Sequence, residues 1–529
     1  MKPIVWSAVA LFMFVPSLMP ALAAKGAQPA TQPSLTVSCT RTGALFTPGE
    51  KLSFTVEGGG PIVWSVSDYY GNVVVADQRL AAPAERPATI SLDSSRLPRL
   101  GWHQLTVRRG ELAAQSTFAI VPPLRDAVPP AESRFGADFA PIGRPDQIPD
   151  IAASVRLAGV RWVMMDIPLA HLNPREGVYD WGSAGLNGRE PFELMARALH
   201  ARGVQLMFKT IGQADWISAR TTGNVHAYWD PAINLSPPSD YAKWAQVITA
   251  TVRRFGDICT HWEIGNEPEG HGYFKGTDDE YMKYLEVTAG AIRAAQPNAT
   301  IVAASMYNGG GVLPRLVKRP DLFDIMSVHY LTGPWGDIAP LSRYLDAMRE
   351  AGISKVVWNT ESRGRGGAGP PSPGESSAMG GKGADNQSPT KAYVRNFAMG
   401  IPKVFVFSWN MEEGPAMVHR DYSPQWNTVE YRTMTDQIEG STFVRELKLG
   451  DNLSAFLFRR DGRNLLVAWT DQAGLSSDLS VSAGEALRVV DVMGNAARVE
   501  VSGGRATVRL AYQPLFIWGV SDEPDARLP

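Results

Sequence analysis

Three features of this 529-residue sequence predict a (β/α)8 TIM barrel held between two all-β regions. Eight short apolar runs, each long enough for one strand, recur between residues 135 and 408. Helical patterns, with apolar residues three or four apart, lie between them. Before residue 134 and after about residue 440 that period gives way to two-residue alternation broken by turn signals.

The chain starts with Lys2, an apolar run over residues 4–21, and Ala21-Leu22-Ala23, a small-x-small cleavage signal. Residues 1–23 are therefore expected to be an export signal, with a secreted or periplasmic product. An uncleaved anchor is the alternative, because the run approaches spanning length. Residues 25–33 have the composition of a linker. Residues 34–122 alternate apolar and polar, as in Leu52-Ser53-Phe54-Thr55-Val56 and Ile62-Val63-Trp64-Ser65-Val66. That pattern predicts an immunoglobulin-like β-sandwich. Pro122-Pro123 and Pro129-Pro130 then mark a stiff linker.

The barrel is expected over residues 132–438. Its strands are read at 135–139, 160–167, 204–210, 258–264, 300–304, 325–329, 355–360 and 404–408. Among the helices, 192–202 sets Leu194, Ala198 and Leu199 on one face, and 240–255 does the same with Trp244, Val247, Ile248 and Val252. Residues 279–296 and 341–351 repeat the spacing, and Gly203 and Gly352 stand where helix C-terminal glycines belong. Residues 439–522 return to strands and predict a C-terminal β-sandwich, with Asp461-Gly462 as a hairpin signal. The glycine-rich stretch 363–389 interrupts the barrel pattern. It reads either as a disordered insertion or as a lid.

Bulk composition excludes several functions. Hydrophobic residues make up 44% and charged residues 20%, an ordinary globular balance. A net charge of −2 gives no footprint for nucleic acid or an anionic membrane. Once the signal is removed, no membrane contact is expected. Only Cys39 and Cys259 are present; their separation does not favour a disulfide, and no spacing matches a zinc site. No cofactor or metal is implied. Fifteen Trp and fifteen Tyr supply flat apolar faces, most of them for packing.

The chemistry concentrates at two strand ends. His261-Trp262-Glu263-Ile264-Gly265-Asn266-Glu267-Pro268 closes the fourth strand, and Val357-Trp358-Asn359-Thr360-Glu361 closes the seventh. Parallel α/β sheets build their sites at the carboxyl ends of strands. Two carboxylates facing each other across one mouth suit glycoside hydrolysis: one protonates the leaving oxygen, the other attacks the anomeric carbon or activates water. The Asn266 amide can both donate to and accept from a sugar hydroxyl. Asp138 and Asp166, at the ends of strands one and two, either bond sugar hydroxyls or form salt bridges. Trp358 and Trp216 are candidate sugar contacts, and Trp229, Tyr273, Tyr307 and Trp335 also follow strand ends. Glu263 reads as structural, Glu269 as solvated, and His261 and His271 as packing or sugar contacts.

These residues resemble the clan A retaining glycoside hydrolases, barrel enzymes with catalytic glutamates after strands four and seven. Asn266-Glu267-Pro268 is similar to the clan's acid/base motif, and Thr360-Glu361 to its nucleophile. His329-Tyr330 looks like its His-x-Tyr region in shortened form, and Trp409 like its platform tryptophan. Gly159-Val160-Arg161-Trp162-Val163 and the 173–181 segment are similar to the strand-two region of several families in the clan. The resemblance covers residues 134–420 and lies nearest family 39. It implies general acid/base catalysis by Glu267, nucleophilic attack by Glu361, and a carbohydrate partner. One departure stands out. Many members carry an Arg near the end of strand two, where this sequence aligns Met164; Arg134 and Lys209 are the candidate replacement cations. Two other functions fit the same architecture: a non-catalytic sugar-binding or envelope-scaffolding protein, and a transglycosylase that passes the glycosyl group to a sugar. Retention of both glutamates argues against the first.

Overall fold

The computed structural model describes residues 34–82, 86–182, 192–329, 331, 340–362, 388–411 and 416–527. The expected signal peptide, Tyr330, Trp335 and nearly all of the 363–389 insertion lie outside the described residues.

At the centre is a closed barrel of eight parallel strands in sequence order: Phe135–Asp138, Trp162–Ile167, Gln205–Thr210, Cys259–Ile264, Thr300–Met306, Ile325–His329, Val356–Ser362 and Val404–Val406. Each falls on one of the eight apolar runs. Strand eight pairs with strand one, Val404 opposite Phe135, and so closes the ring. Side chains alternate between the outer face and the interior. The inward set near the strand starts is Trp162, Met164, Met207, Val302, Ile325, Trp358 and Phe405, a separate buried cluster that fills the lower barrel. Gly136 is required there, because a Cβ on it would come within 2.4 Å of the Phe405 ring.

The surrounding helices follow from local signals. Tyr241–Phe255 starts where the Asp240 carboxylate accepts from the Ala242 and Lys243 amides, and it buries Trp244, Val247, Ile248 and Val252 as the spacing required. Asp278–Ala295 opens with a full capping box between Thr277 and Glu280. Phe192–His200 corrects one assignment: it buries Phe192, Met195, Ala196 and Leu199, while Leu194 faces solvent. The fifth strand is followed only by the short helix Leu313–Leu316 and a 3-10 turn at Pro320–Leu322, not by a full helix. Pro320 cannot continue the helical hydrogen-bond ladder and disfavours helix at the residue before it.

The N-terminal region forms a three-stranded sheet (Thr36–Cys39, Lys51–Glu57, Ala88–Asp93) and a five-stranded sheet (Leu45–Phe46, Gly60–Asp68, Val73–Ala82, Gly101–Arg109, Leu112–Ile120). They enclose one apolar cluster that includes Phe54, Val66, Ile90 and Phe118. The C-terminal region is a single connected sheet rather than two separate ones. Its 14-residue strand Ser477–Val490 pairs with Arg505–Leu510 along its first half and with Ala496–Val499 and Leu515–Val520 along its second. Cys39 and Cys259 are both free thiols, and burial lifts the Cys259 pKa to about 12.

The described residues from Leu35 onward form one compact unit. Its largest core runs from the barrel into both β regions, taking in Tyr69 and Trp102 on one side and Phe456 and Trp469 on the other. The segment read as a stiff linker is fastened: Arg432 donates to the carbonyls of Pro122 and Pro123, and Arg161 to that of Arg125. The Pro424 carbonyl, in the loop before the last barrel helix, accepts from Trp102 Nε1 at 2.9 Å and from Thr117 Oγ1 at 2.8 Å. The N-terminal sheets therefore brace the barrel. Replacing Trp102 by Ala should destabilise the whole unit by about 3–5 kcal/mol. Trp102→Phe, which mainly loses the hydrogen bond, should cost about 1–3 kcal/mol. Urea unfolding of the full chain, followed by circular dichroism, would read both.

Candidate active site

The carboxyl ends of the barrel strands carry an unusual density of ionisable groups. The Lys209 side chain, on strand three, is only 3% accessible. Its ammonium lies 3.3 Å from Glu361 Oε1, 3.4 Å from Asp166 Oδ1 and 3.9 Å from Asp138 Oδ2, and it donates to Asn266 Oδ1 at 3.1 Å. Burial disfavours its charge, but the surrounding carboxylates, Asp166 and Glu361 foremost, outweigh that and hold its pKa well above the ordinary lysine value. Asp138 and Asp166 are pushed up from the usual carboxylate range, mainly by burial, with Lys209 acting in the opposite direction. Glu263, in register with Lys209 on strand four, is fully buried.

Glu361 reaches this mouth through a β-bulge. Trp358 points into the lower barrel, so simple alternation would turn Glu361 outward. The ladder between strands six and seven pairs Val328 with Asn359 but His329 with Glu361, which leaves Thr360 as an extra residue. A bulge of this kind re-aims the side chain that follows it. Glu267 depends on a different local device. Its own backbone is left-handed, with φ 40° and ψ 51°, a conformation that ordinarily costs a non-glycine residue about 1–3 kcal/mol. Its N–H donates to the Ser305 carbonyl at 3.1 Å. Two residues earlier, Gly265 has φ 83°, and a Cβ there would sit 2.8 Å from the Tyr281 ring.

His329, at the end of strand six, joins the two glutamates. Its Nδ1 is 2.9 Å from Glu267 Oε1 and 3.6 Å from Glu361 Oε2. Burial works against the imidazolium, but the charge of Glu361 and the hydrogen bond with Glu267 prevail, so its pKa is raised. One oxygen of Glu267, one of Glu361 and a His329 ring nitrogen all lie within 4.8 Å of one another. Such a set could also receive a cation. Lys209 and the His329 imidazolium already supply positive charge to these carboxylates, which weakens the set as a site for a further cation.

The structure therefore brings Glu267, Glu361, Asn266, His329 and Asp138 to one mouth. It also adds Lys209 and Asp166, which were not among the principal candidates. The signal for Lys209 was legible: a lone cation closing the apolar run Leu206-Met207-Phe208 on a barrel strand. Of the two replacement cations considered, Arg134 is excluded by position, since its guanidinium lies over the Phe397 ring. Met164 belongs to the lower barrel, and the residue at the mouth end of strand two is Asp166.

Several candidates are placed elsewhere. Trp358 is not at the mouth: it is buried in the lower barrel, stacked on His261 and edge-on to Trp162. Its position near the strand start puts it below the carboxylates. Trp216 is half-buried and donates to the Asn173 carbonyl at 2.9 Å, bracing one loop against another. Trp409 follows strand eight and its backbone N–H donates to the Asp138 carbonyl, but its ring is buried against Tyr431. Glu269 is not solvated. One of its oxygens accepts from the amides of Tyr307, Asn308 and Gly309 at 2.8–3.0 Å and clasps the loop after strand five.

An eight-stranded parallel barrel with paired glutamates after strands four and seven is the architecture of the clan A glycoside hydrolases, and this chain resembles them. No protein-family model matches the sequence. The chain superposes on a family 39 glycoside hydrolase from Bacteroides cellulosilyticus WH2 with a TM-score of 0.68 at 19% identity, over 92% of this chain and 100% of that one. A family 39 β-xylosidase from Caulobacter crescentus gives 0.50 at 17% identity, over 75% and 98%. A family 30 endoxylanase from Clostridium papyrosolvens C71 gives 0.50 at 15% identity, over 74% and 97%. In sequence, a β-xylosidase from Geobacillus stearothermophilus is 33% identical over 90 residues, 16% of this chain. The match spans only 18% of that relative's length.

Two outcomes test the charge balance. Lys209→Met leaves buried carboxylates uncompensated and should cost about 3–5 kcal/mol at neutral pH. Because protonation relieves that repulsion, the deficit should shrink on acidification in urea titrations. The raised His329 pKa has a defined sign. Its imidazolium contributes stability in full below the unfolded value of about 6.5, and that contribution disappears as pH rises through the higher folded value. The melting temperature of the wild-type protein should therefore fall more steeply above pH 6.5 than that of His329→Gln.

Proposed function

We propose that this chain is an exported retaining glycoside hydrolase that cleaves β-glycosidic bonds of an oligosaccharide or polysaccharide. One observation carries the reading: oxygens of Glu267 and Glu361 approach within 4.8 Å above a buried ammonium at the barrel mouth. Retaining pairs stand about 5–5.5 Å apart, whereas inverting pairs need about 6.5–9.5 Å to admit a water. The close gap favours direct attack by a carboxylate.

In the first step Glu361 attacks the anomeric carbon. The bond to the leaving oxygen breaks as Glu267 gives that oxygen its proton, and a glycosyl ester on Glu361 results. In the second step Glu267 takes a proton from water, the water oxygen attacks the anomeric carbon, and Glu361 leaves as a carboxylate. Lys209 supplies the opposite charge that an anionic nucleophile needs at 3.3 Å. The hydrogen bond between His329 and Glu267 holds that carboxyl group within reach of the same sugar. Asn266 and Asp138 lie beside Lys209 at this mouth, and their amide and carboxyl groups suit sugar hydroxyls; for Tyr330, which follows His329 in sequence, a role beside the sugar is assigned by resemblance to the clan.

Removing the Glu361 carboxylate should abolish turnover, and azide should restore it by yielding a glycosyl azide. Glu267→Ala should slow substrates with poor leaving groups by about 10²–10⁴-fold and spare activated aryl glycosides in the first step. NMR of the first-formed product from wild-type enzyme should show retained configuration; an inverted product would remove Glu361 from the nucleophile role. Chelator treatment should leave activity unchanged.

A further inference from the structure

Tyr228 is the most exposed large apolar side chain among the described residues, at 77%. It is not isolated. Its ring meets Trp229 at 4.9 Å between centroids, nearly perpendicular, and Trp229 meets Tyr273 at 5.5 Å, tilted by 43°. Tyr273 lies six residues after Glu267 on the same loop. It is close enough to both Glu267 and Glu361 that their charges, after burial, help raise its pKa. Three rings thus lead outward from the carboxylate pair to solvent.

The platform is held in place. Next to Trp229, Asp230 is buried, contacts His171 at 2.7 Å and accepts from the Ala232 amide at 3.0 Å. Ala227 and Ile233 are bridged by a backbone hydrogen bond, and Leu235 donates back to Val225. The two loops that carry the rings are joined where the Lys275 amide donates to the Leu235 carbonyl at 2.8 Å, and where Arg220 bonds both Lys275 O and Glu280. Fixed aromatic faces lose little entropy when a ligand covers them. A run of touching aromatic rings that passes from the half-buried Tyr273 and Trp229 to the exposed Tyr228 marks a binding surface.

We infer that Tyr273, Trp229 and Tyr228 bind the saccharide on the leaving-group side of the scissile bond, so that the departing group is itself a sugar chain. The inference rests on the proposed function. An acid that protonates the leaving oxygen must stand beside it, and Tyr273 is carried by the loop that runs from that acid to the helix starting at Asp278. The C–H faces of pyranose rings are apolar and flat enough to cover such rings, while the Tyr hydroxyls and Trp N–H remain available to sugar hydroxyls.

The test compares two substrate types on the full chain. Wild type, Trp229→Ala and Tyr228→Ala are assayed on activated aryl β-glycosides and on xylotetraose, cellotetraose and laminaritetraose. Calorimetry with Glu361→Gln measures binding of the same tetrasaccharides. The expected result is a loss of kcat/KM on the cleaved tetrasaccharide that exceeds the loss on its aryl glycoside by about tenfold or more, mostly through KM. Tyr228→Ala removes a solvent-exposed ring, so it keeps the question answerable if Trp229→Ala folds poorly. Equal losses on both substrate types, or none on either, overturn the inference and leave the hydrolase reading standing. The same holds if aryl glycosides are cleaved while no tetrasaccharide binds. A wild-type protein that cleaves no glycoside overturns both.

Discussion

The ammonium of Lys209 faces Asp138, Asp166 and Glu361 in a part of the barrel where its own side chain is almost inaccessible. Without that charge the mouth could not hold so many carboxylates together, because unpaired buried charges are either neutralised or destabilising. Its four partners arrive from four different strands, one, two, four and seven, if Asn266 is counted at the end of strand four. Barrel closure therefore brings the charges together, and the charges in turn constrain how the strand ends can sit.

Around this centre, backbone irregularity does what side-chain choice alone could not. The extra residue Thr360 turns Glu361 toward Lys209. The left-handed Glu267, preceded by Gly265, lifts the second carboxylate over the mouth rather than along the strand. Glu269 secures the neighbouring loop by taking three amides on one oxygen. Strain and bulges at a chemical site persist only where the surroundings over-determine them. Here the bracing comes from the helices and from both β regions, which share a core with the barrel.

The lower barrel shows the opposite economy. Trp162, Trp358, His261 and Phe405 pack ring against ring, and Lys403 lies over Trp162 at 3.9 Å. Burial, the leading cause, lowers the Lys403 pKa to about 7 and the His261 pKa to about 4. These groups have titratable chemistry but sit below the site, filling the barrel. Position along the strand thus separates a filled floor from a polar mouth within the same inward-facing rows.

Period and punctuation were enough to locate all eight strands and to place Glu267 and Glu361 at the ends of the fourth and seventh, because a strand's apolar run and its polar stop are properties of a few consecutive residues. The short fifth crossover was missed, although Pro320 marked its end. The C-terminal strand that serves two pairings could not be read locally, since pairing partners are chosen by the fold. What only the tertiary structure decided was which cation faces Glu361, that Glu361 needs a bulge to point inward, that Trp358 faces the floor, and that Glu269 is a clasp. Each depends on residues tens or hundreds of positions apart meeting across a closed barrel, and short-range sequence patterns carry no information about such meetings.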